Sequence, residues 1–218
     1  MSVDTVASTP RSQVRRAPKR GAYDRERIYA ILDEGRVCHV GFVAEGSPFV
    51  IPCFYARAGD RLLLHGATGS RLFKMLATGA EVCITVTLLD GLVFARSAFH
   101  HSMNYRSVVC FGRAERITGR KEKLEALARM VDSIAGGRNA EVRPPNESEL
   151  QATEVIAFPL DEVSAKVRSG PPVDDPRDLE WPVWAGEIPL KLQCQAPVVD
   201  SELRSGIPYP HYLEALSK

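Results

Sequence analysis

Val82-Cys83-Ile84-Thr85-Val86-Thr87-Leu88 alternates residue by residue, with Val82, Ile84, Val86 and Leu88 on one side and Cys83, Thr85 and Thr87 on the other. Successive side chains of a strand point to opposite faces, so this run predicts a strand with one face in a core and one face out, as in an antiparallel sheet. Asp90-Gly91 follows, and Asp-Gly between two apolar runs predicts a hairpin turn into a further strand. Working outward, residues 37–43, 48–56 and 61–65 read as successive strands separated by turns at Glu45-Gly46 and Ala58-Gly59-Asp60. On the C-terminal side, 107–117 reads as another strand, and 153–167 as a last one with a bend at Pro159.

Helical spacing interrupts this pattern three times. Asp24 reads as an N-cap before Ile28, Ile31 and Leu32, with Gly35 as the stop. A short helix starts near Ser70, carries Leu72, Phe73, Met75 and Leu76, and ends at Gly79. The clearest spans 120–135, with Leu124, Leu127, Val131 and Ile134 on one stripe and Gly136-Gly137 behind it. At least six short, hairpin-joined strands with two or three helices predict a mainly β (α+β) fold: an antiparallel closed or split β-barrel with flanking helices, in place of a doubly wound sheet.

At 218 residues the chain suits one domain with extensions. Residues 1–22, with Arg11, Arg15, Arg16, Lys19 and Arg20, are expected to form a solvated, flexible basic arm; 23–170 the domain; and 171–218 an extended Pro- and Trp-containing segment packed on it. A formal charge of +1 gives no reason to expect nucleic acid as a partner. The N-terminus lacks a signal-peptide core and no segment is apolar enough to span a bilayer, so neither a membrane nor export is expected and the cytoplasm is the expected location. Five cysteines are scattered without a CxxC pair, four of them in strand-like runs, and read as buried thiols in preference to a disulfide framework or a structural zinc site.

Two segments carry chemistry. Leu64-His65-Gly66-Ala67-Thr68-Gly69-Ser70-Arg71 takes a strand through a Gly-containing turn into a helix start. A hydroxyl and a guanidinium there suit a phosphate, with Ser70 as a plain N-cap and Arg71 solvated as the alternative. The absence of Gly-Lys-Ser/Thr excludes a Walker A loop, and no GxGxxG or GxSxG occurs. The second segment, Ala95 to Val109, is polar and contains His100 and His101, which are adjacent and thus a poor metal pair; no metal is expected. The residues by themselves describe an anion-binding, mostly antiparallel β domain.

Together with Asn104-Tyr105-Arg106-Ser107-Val108-Val109-Cys110-Phe111-Gly112-Arg113-Ala114, the first segment resembles the pyridoxamine 5′-phosphate oxidase-related family. The similarity extends through Tyr23-Asp24-Arg25, Cys38-His39-Val40-Gly41-Phe42, Pro48-Phe49-Val50-Ile51-Pro52 and Trp184-Ala185-Gly186-Glu187-Ile188-Pro189-Leu190, and is nearest to the flavin-nucleotide-binding, nitroimidazole-resistance-like branch. The resemblance implies a split-barrel homodimer with FMN between the subunits. By position it implies that Ser70 and Arg71 contact the FMN phosphate; Lys74, one turn on, could assist, although the family pattern does not require it. Val50, Ile51, Pro52 and Cys53 would line the isoalloxazine, and His65 and Gly66 would lie beside the ribityl chain. Arg106 and Ser107 match the pair that reaches the flavin from the second subunit. Ser107 stands where the oxidases carry Gln, and no C-terminal Arg-Leu-His segment is present, which argues against vitamin-B6 oxidation. The expectation is an FMN-dependent oxidoreductase for a small electron-poor substrate, nitroaromatic or quinone-like, with His65 either donating a proton or holding the substrate, or being structural. The alternatives are a non-enzymatic flavin-binding or flavin-sensing protein, or a split barrel using haem or deazaflavin.

Overall fold

A computed structural model describes residues 4–217. In chain order the regular elements are β1 (Gly21–Ala22), α1 (Arg25–Glu34), β2 (Val37–Ala44), β3 (Ser47–Phe54), β4 (Ala56–Ala58), β5 (Arg61–Ala67), α2 (Arg71–Ala77), β6 (Glu81–Phe94), β7 (Ser102–Arg113), β8 (Glu115–Arg116), α3 (Arg120–Ile134), α4 (Glu147–Ala152), β9 (Thr153–Pro159), β10 (Glu162–Arg168) and β11 (Gly186–Pro189). The strands form two antiparallel sheets, β1-β10-β7-β6-β2-β3 with β11 on β6, and β4-β5-β9-β8. The expected antiparallel split barrel with flanking helices is the fold: two curved sheets enclose one core without closing into a single ring.

The alternation in β6 does what the sequence predicts. Val82, Ile84 and Val86 are buried with Val40, Leu62, Leu64, Ile156 and Phe158 in the main core. A second, smaller core lies on the far face of the four-stranded sheet, where Leu63, Val155 and Ala157 meet Ala126 and Met130 of α3. Leu62 and Leu64 therefore face one core and Leu63 the other, as a period of two requires. α1 begins where expected, with the Asp24 carboxylate accepting from the Arg27 N–H at 3.0 Å. Tyr55 anchors its last turn by donating its hydroxyl to the Leu32 carbonyl at 2.6 Å.

Asp90-Gly91 is not a hairpin turn. β6 runs straight through it as a 14-residue strand paired with β7 on both sides, and the register shifts by one residue between Leu89 and Gly91. The pair makes a bulge because Asp90 has a partner of its own, the Arg106 guanidinium on β7. A Cβ at Gly91 would lie 3.1 Å from the Ile188 carbonyl oxygen, so glycine lets β11 pack over this point. The expected single strand over 153–167 is two strands in different sheets: β9 belongs to the smaller sheet and β10 to the larger, with the crossing after Pro159. The expected 138–150 loop ends in the first turn of α4, which is started by a capping box between Asn146 and Glu149 and runs on to Ala152.

The basic arm lies against the larger sheet. Val6 and Ser12 are buried, Arg11 pairs with Glu81 and Glu162, and its guanidinium sits 5.0 Å from the centre of the Phe111 ring. Arg11 thus has carboxylate and aromatic partners supplied by β6, β7 and β10, which the local sequence does not reveal, whereas Arg15, Arg16, Lys19 and Arg20 are exposed as the charge run predicts. Cys38 and Cys110 are buried and Cys53 and Cys83 half-buried, all as free thiols; burial pushes the Cys38 thiol up to about 12. Among the described residues no helix is long and apolar enough to cross a membrane.

Candidate functional site

β5 and α2 build the centre of the site. Gly66, near the end of β5, is demanded by packing: a Cβ there would stand 2.2 Å from Cε2 of Phe73, whose ring is buried. Phe73 in turn fixes α2 against the strand end, which sets the positions of Arg71 and Lys74 on the exposed side of the same helix. Ser70 is the N-cap by its backbone, yet its hydroxyl makes no capping hydrogen bond. Arg71 has no carboxylate partner among the described residues; its guanidinium lies 4.7 Å from the Phe49 ring centre, and Phe49 stacks on Phe42 at 5.5 Å.

A cavity of about 390 Å³ opens here, lined by Ala44, Glu45, Phe49, Gly69, Arg71, Lys74, Met75 and Thr78. Two cations and one carboxylate line it. Beside it runs β3, the edge strand of the larger sheet, paired only to β2. Val50 is 65% and Ile51 37% exposed, and Pro52 is also exposed, whereas Cys53 is half-buried against the main core. Strand residues this apolar on a free edge are unusual, since edges are commonly blunted by charge; Pro48 and Pro52, which lack an N–H, are tolerated because no second strand follows.

His65 lies elsewhere. Two residues after Leu63 it shares that residue's face, toward α3, and lines a separate cavity of about 460 Å³ with Phe54, Leu127, Met130, Val131, Ile134, Val142, Arg143, Pro145, Glu149 and Thr153. Desolvation by these walls pushes its pKa below the ordinary histidine value, favouring the neutral ring. Neither ring nitrogen bonds to a described residue. Arg143 stands at this cavity's rim, its Nη atoms donating to the Glu149 carboxylate at 2.8 and 2.5 Å.

Arg106 and Ser107 are in neither cavity. Arg106 is held on both edges, by Asp90 at 2.9 and 2.7 Å and by Glu34 at 2.5 and 2.8 Å, and lines a third, more charged cavity of about 550 Å³ with Leu190–Cys194 of the C-terminal segment. The Arg106 charge in this cavity is thus already neutralised by two carboxylates. Ser107 faces the other side of the sheet, where the basic arm crosses it. His100 and His101 both address Ser97, at its hydroxyl and carbonyl respectively. The structure therefore gathers Arg71 and Lys74 next to Ser70 and β3, and separates His65, Arg106 and Ser107 from them within one chain. Sequence reading missed Phe49, the aromatic under Arg71, and the apolar wall around His65. The signal for the wall was present: Met130 joins Leu127, Val131 and Ile134 at helical spacing, a stripe wider than one sheet contact consumes.

The model of the pyridoxamine 5′-phosphate oxidase family matches residues 24–167. The chain belongs to that family. Among solved structures it is similar to flavocytochrome Anf3 from Azotobacter vinelandii, at 41% identity over 97% of this chain and 98% of that one, with a TM-score of 0.92. It is also similar to the FAD and heme binding protein from Mycobacterium smegmatis, at 36% identity over 91% and 97% of the two chains and a TM-score of 0.87. A candidate 5-nitroimidazole antibiotic resistance protein from Bacteroides thetaiotaomicron aligns at 27% identity over 67% and 86%, with a TM-score of 0.58. Among curated proteins none matches. Both matches extend beyond the 24–167 family region.

Proposed function

We propose that this protein is a flavin-dependent redox protein that carries haem as a second group and works as a homodimer. The observation that carries the reading is the near full-length similarity, at 41% and 36% identity, to a flavocytochrome and to a FAD and heme binding protein. The site is chemically suited to it. Arg71, with no internal carboxylate, and Lys74 supply charge for a flavin phosphate, and the free Ser70 hydroxyl supplies a further hydrogen bond. The backbone edge of β3 at Val50, Ile51, Pro52 and Cys53, unpaired on its outer side, offers a place for an isoalloxazine ring to lie along it. FMN satisfies every residue assigned here; FAD, named for the mycobacterial relative, adds an adenylate beyond the same phosphate. Bound flavin supplies hydride and single-electron transfer, and bound haem a single-electron couple; the protein supplies orientation and electrostatics.

A homodimer is supported by what one chain leaves uncovered. Val37, Val43 and Val50 are 48%, 63% and 65% exposed on neighbouring strands of one sheet face, together with exposed His39 and Pro52. A contiguous apolar sheet face of this kind marks an interaction surface. Arg106 keeps its expected role, approaching the flavin of the other subunit, as part of this proposal, and has to exchange at least one carboxylate for it; the Ser107 side chain, on the opposite face of β7, does not share that approach. A small electron-poor acceptor, nitroaromatic or quinone-like, is a second reading, favoured by the similarity to the candidate nitroimidazole-resistance protein.

The test is the absorption spectrum of protein as purified, followed by acid release and chromatography of the flavin. Flavin and Soret bands together, with a dimer in analytical ultracentrifugation, are expected; absence of flavin after incubation with both FMN and FAD overturns the reading. Arg71→Ala is expected to weaken flavin by roughly 1.5–3 kcal/mol, the range for hydrogen bonds to a charged group. Unchanged affinity removes the phosphate assignment.

A further inference from the structure

The cavity beside α3 is poorly explained by the fold alone. Amphipathic helices bury their apolar stripe, yet Ile134 is 56% exposed and Leu127 and Val131 are only half-buried. Ala126 and Met130 are buried in the smaller core, and Leu127 packs at its edge. What remains forms one wall of the 460 Å³ cavity, with Phe54 and Val142 opposite, a size and character typical of a cofactor pocket. His65 is the only imidazole in the lining, no cysteine accompanies it, and its nitrogens are free of hydrogen bonds to described residues.

We infer that this cavity is the haem site of the protein, with His65 as an axial ligand to the iron, Leu127, Val131 and Ile134 packing one face of the macrocycle, and Arg143 at the rim taking a propionate. The inference rests on the flavin-and-haem reading above and assigns the haem's place within it. The chemistry of each part agrees. Ligation of iron needs an imidazole nitrogen not already spent on a hydrogen bond, and both nitrogens of His65 are uncommitted among the described residues. A macrocycle with apolar faces and two carboxylates on one edge matches an apolar slot with a single guanidinium at its mouth. The propionate takes the place of Glu149 in the Arg143 fork, and Glu149 retains its second partner, the Asn146 N–H at 2.8 Å, in the capping box of α4. The flavin groove at Arg71 and Lys74 shares no lining residue with this cavity, so the two groups occupy separate places.

The experiment is haem and flavin titration of the full-length protein, read by absorption and by electron paramagnetic resonance. His65→Gly is expected to lose the wild-type Soret signature and to regain it when imidazole is added, which a merely structural histidine would not do. Val131→Glu, which puts a carboxylate on the wall away from the flavin groove, is expected to weaken haem tenfold or more while flavin affinity stays at the wild-type value. Wild-type haem spectra in both variants overturn this site and leave the flavin-and-haem reading standing. A wild-type protein that takes flavin but no haem overturns the haem half of that reading. Val131→Glu protein that loses the dimer, with haem binding unchanged in its monomer, overturns the site by making the cavity a contact for the second subunit.

Discussion

Replacing Gly66 by alanine tests how the site is held. The backbone there is ordinary extended strand, so the substitution carries no conformational penalty and its whole effect is steric. The new methyl would meet Cε2, Cδ2 and Cζ of Phe73 at 2.2, 2.5 and 2.9 Å. Carbon atoms settle at about 3.5–4.0 Å, so the ring or the strand has to give by more than about an ångström. Phe73 is 5% exposed and packed in the main core, which leaves it little room. Overpacking of this kind costs roughly 1–3 kcal/mol, and the depth of overlap puts Gly66→Ala near the upper value. For a domain of this size that is a fall of roughly 6–12 °C in Tm, at about 2–4 °C per kcal/mol. Urea unfolding with an unchanged m-value measures it directly. Phe73→Leu removes the offending ring edge at a cost of roughly 1–2 kcal/mol, below the 3–5 for Phe→Ala. The double variant should be no less stable than Phe73→Leu alone. A neutral Gly66→Ala, or a double variant whose losses simply add, refutes the account of why glycine stands here. Because Phe73 lies between Arg71 and Lys74 on α2, Gly66→Ala should also weaken flavin, and the second substitution should restore part of it.

Three further outcomes follow from particular contacts. Tyr55→Phe leaves the Leu32 carbonyl without its 2.6 Å donor at the end of α1 and should cost about 1–1.5 kcal/mol in urea unfolding. The Arg106 guanidinium beside Glu34 holds that carboxyl below its ordinary value, so the pair's contribution is present above about pH 4.3 and is lost as pH falls through the lower folded value; Glu34→Gln should flatten this acid limb of the stability profile. Asp174, whose side chain is 2% exposed and accepts from the Arg96 N–H at 2.9 Å and its guanidinium at 2.8 Å, anchors the start of the C-terminal segment. Asp174→Ala should make trypsin cut at Arg177 and Lys191 sooner, with the barrel itself surviving.

What was legible in the sequence follows from the range of the forces involved. The alternation of β6 and the stripe of α3 are local consequences of burying one face, and a window of about ten residues contains them whole. The Asp90-Gly91 bulge failed for the complementary reason. Asp-Gly is a turn signal only when the flanking strands pair with each other, and here both flanks pair with β7, while Asp90 answers to Arg106, 16 residues away. The same holds for the arm. Arg11 finds Glu162, 151 residues on, and no charge pattern near residue 11 contains that partner.

The site divides along the same line. Ser70 and Arg71 could be read because the strand, the turn and the helix start that present them are contiguous. The α3 stripe could be read, but not its meeting with His65, because that cavity takes its parts from β3, β5, α3, the loop after it, α4 and β9, elements brought together only by the packing of the fold. That arrangement also explains the chemistry. A histidine on the face of a strand shared with Leu63 is forced toward α3, away from the cations of α2, which sit on the far side of the same strand end with Phe73 and Gly66 between. One strand therefore offers a neutral nitrogen base on one face and leads into a cationic groove on the other. The alternation of two neighbouring residues, His65 and Gly66, thus keeps an imidazole apart from the cations of the groove.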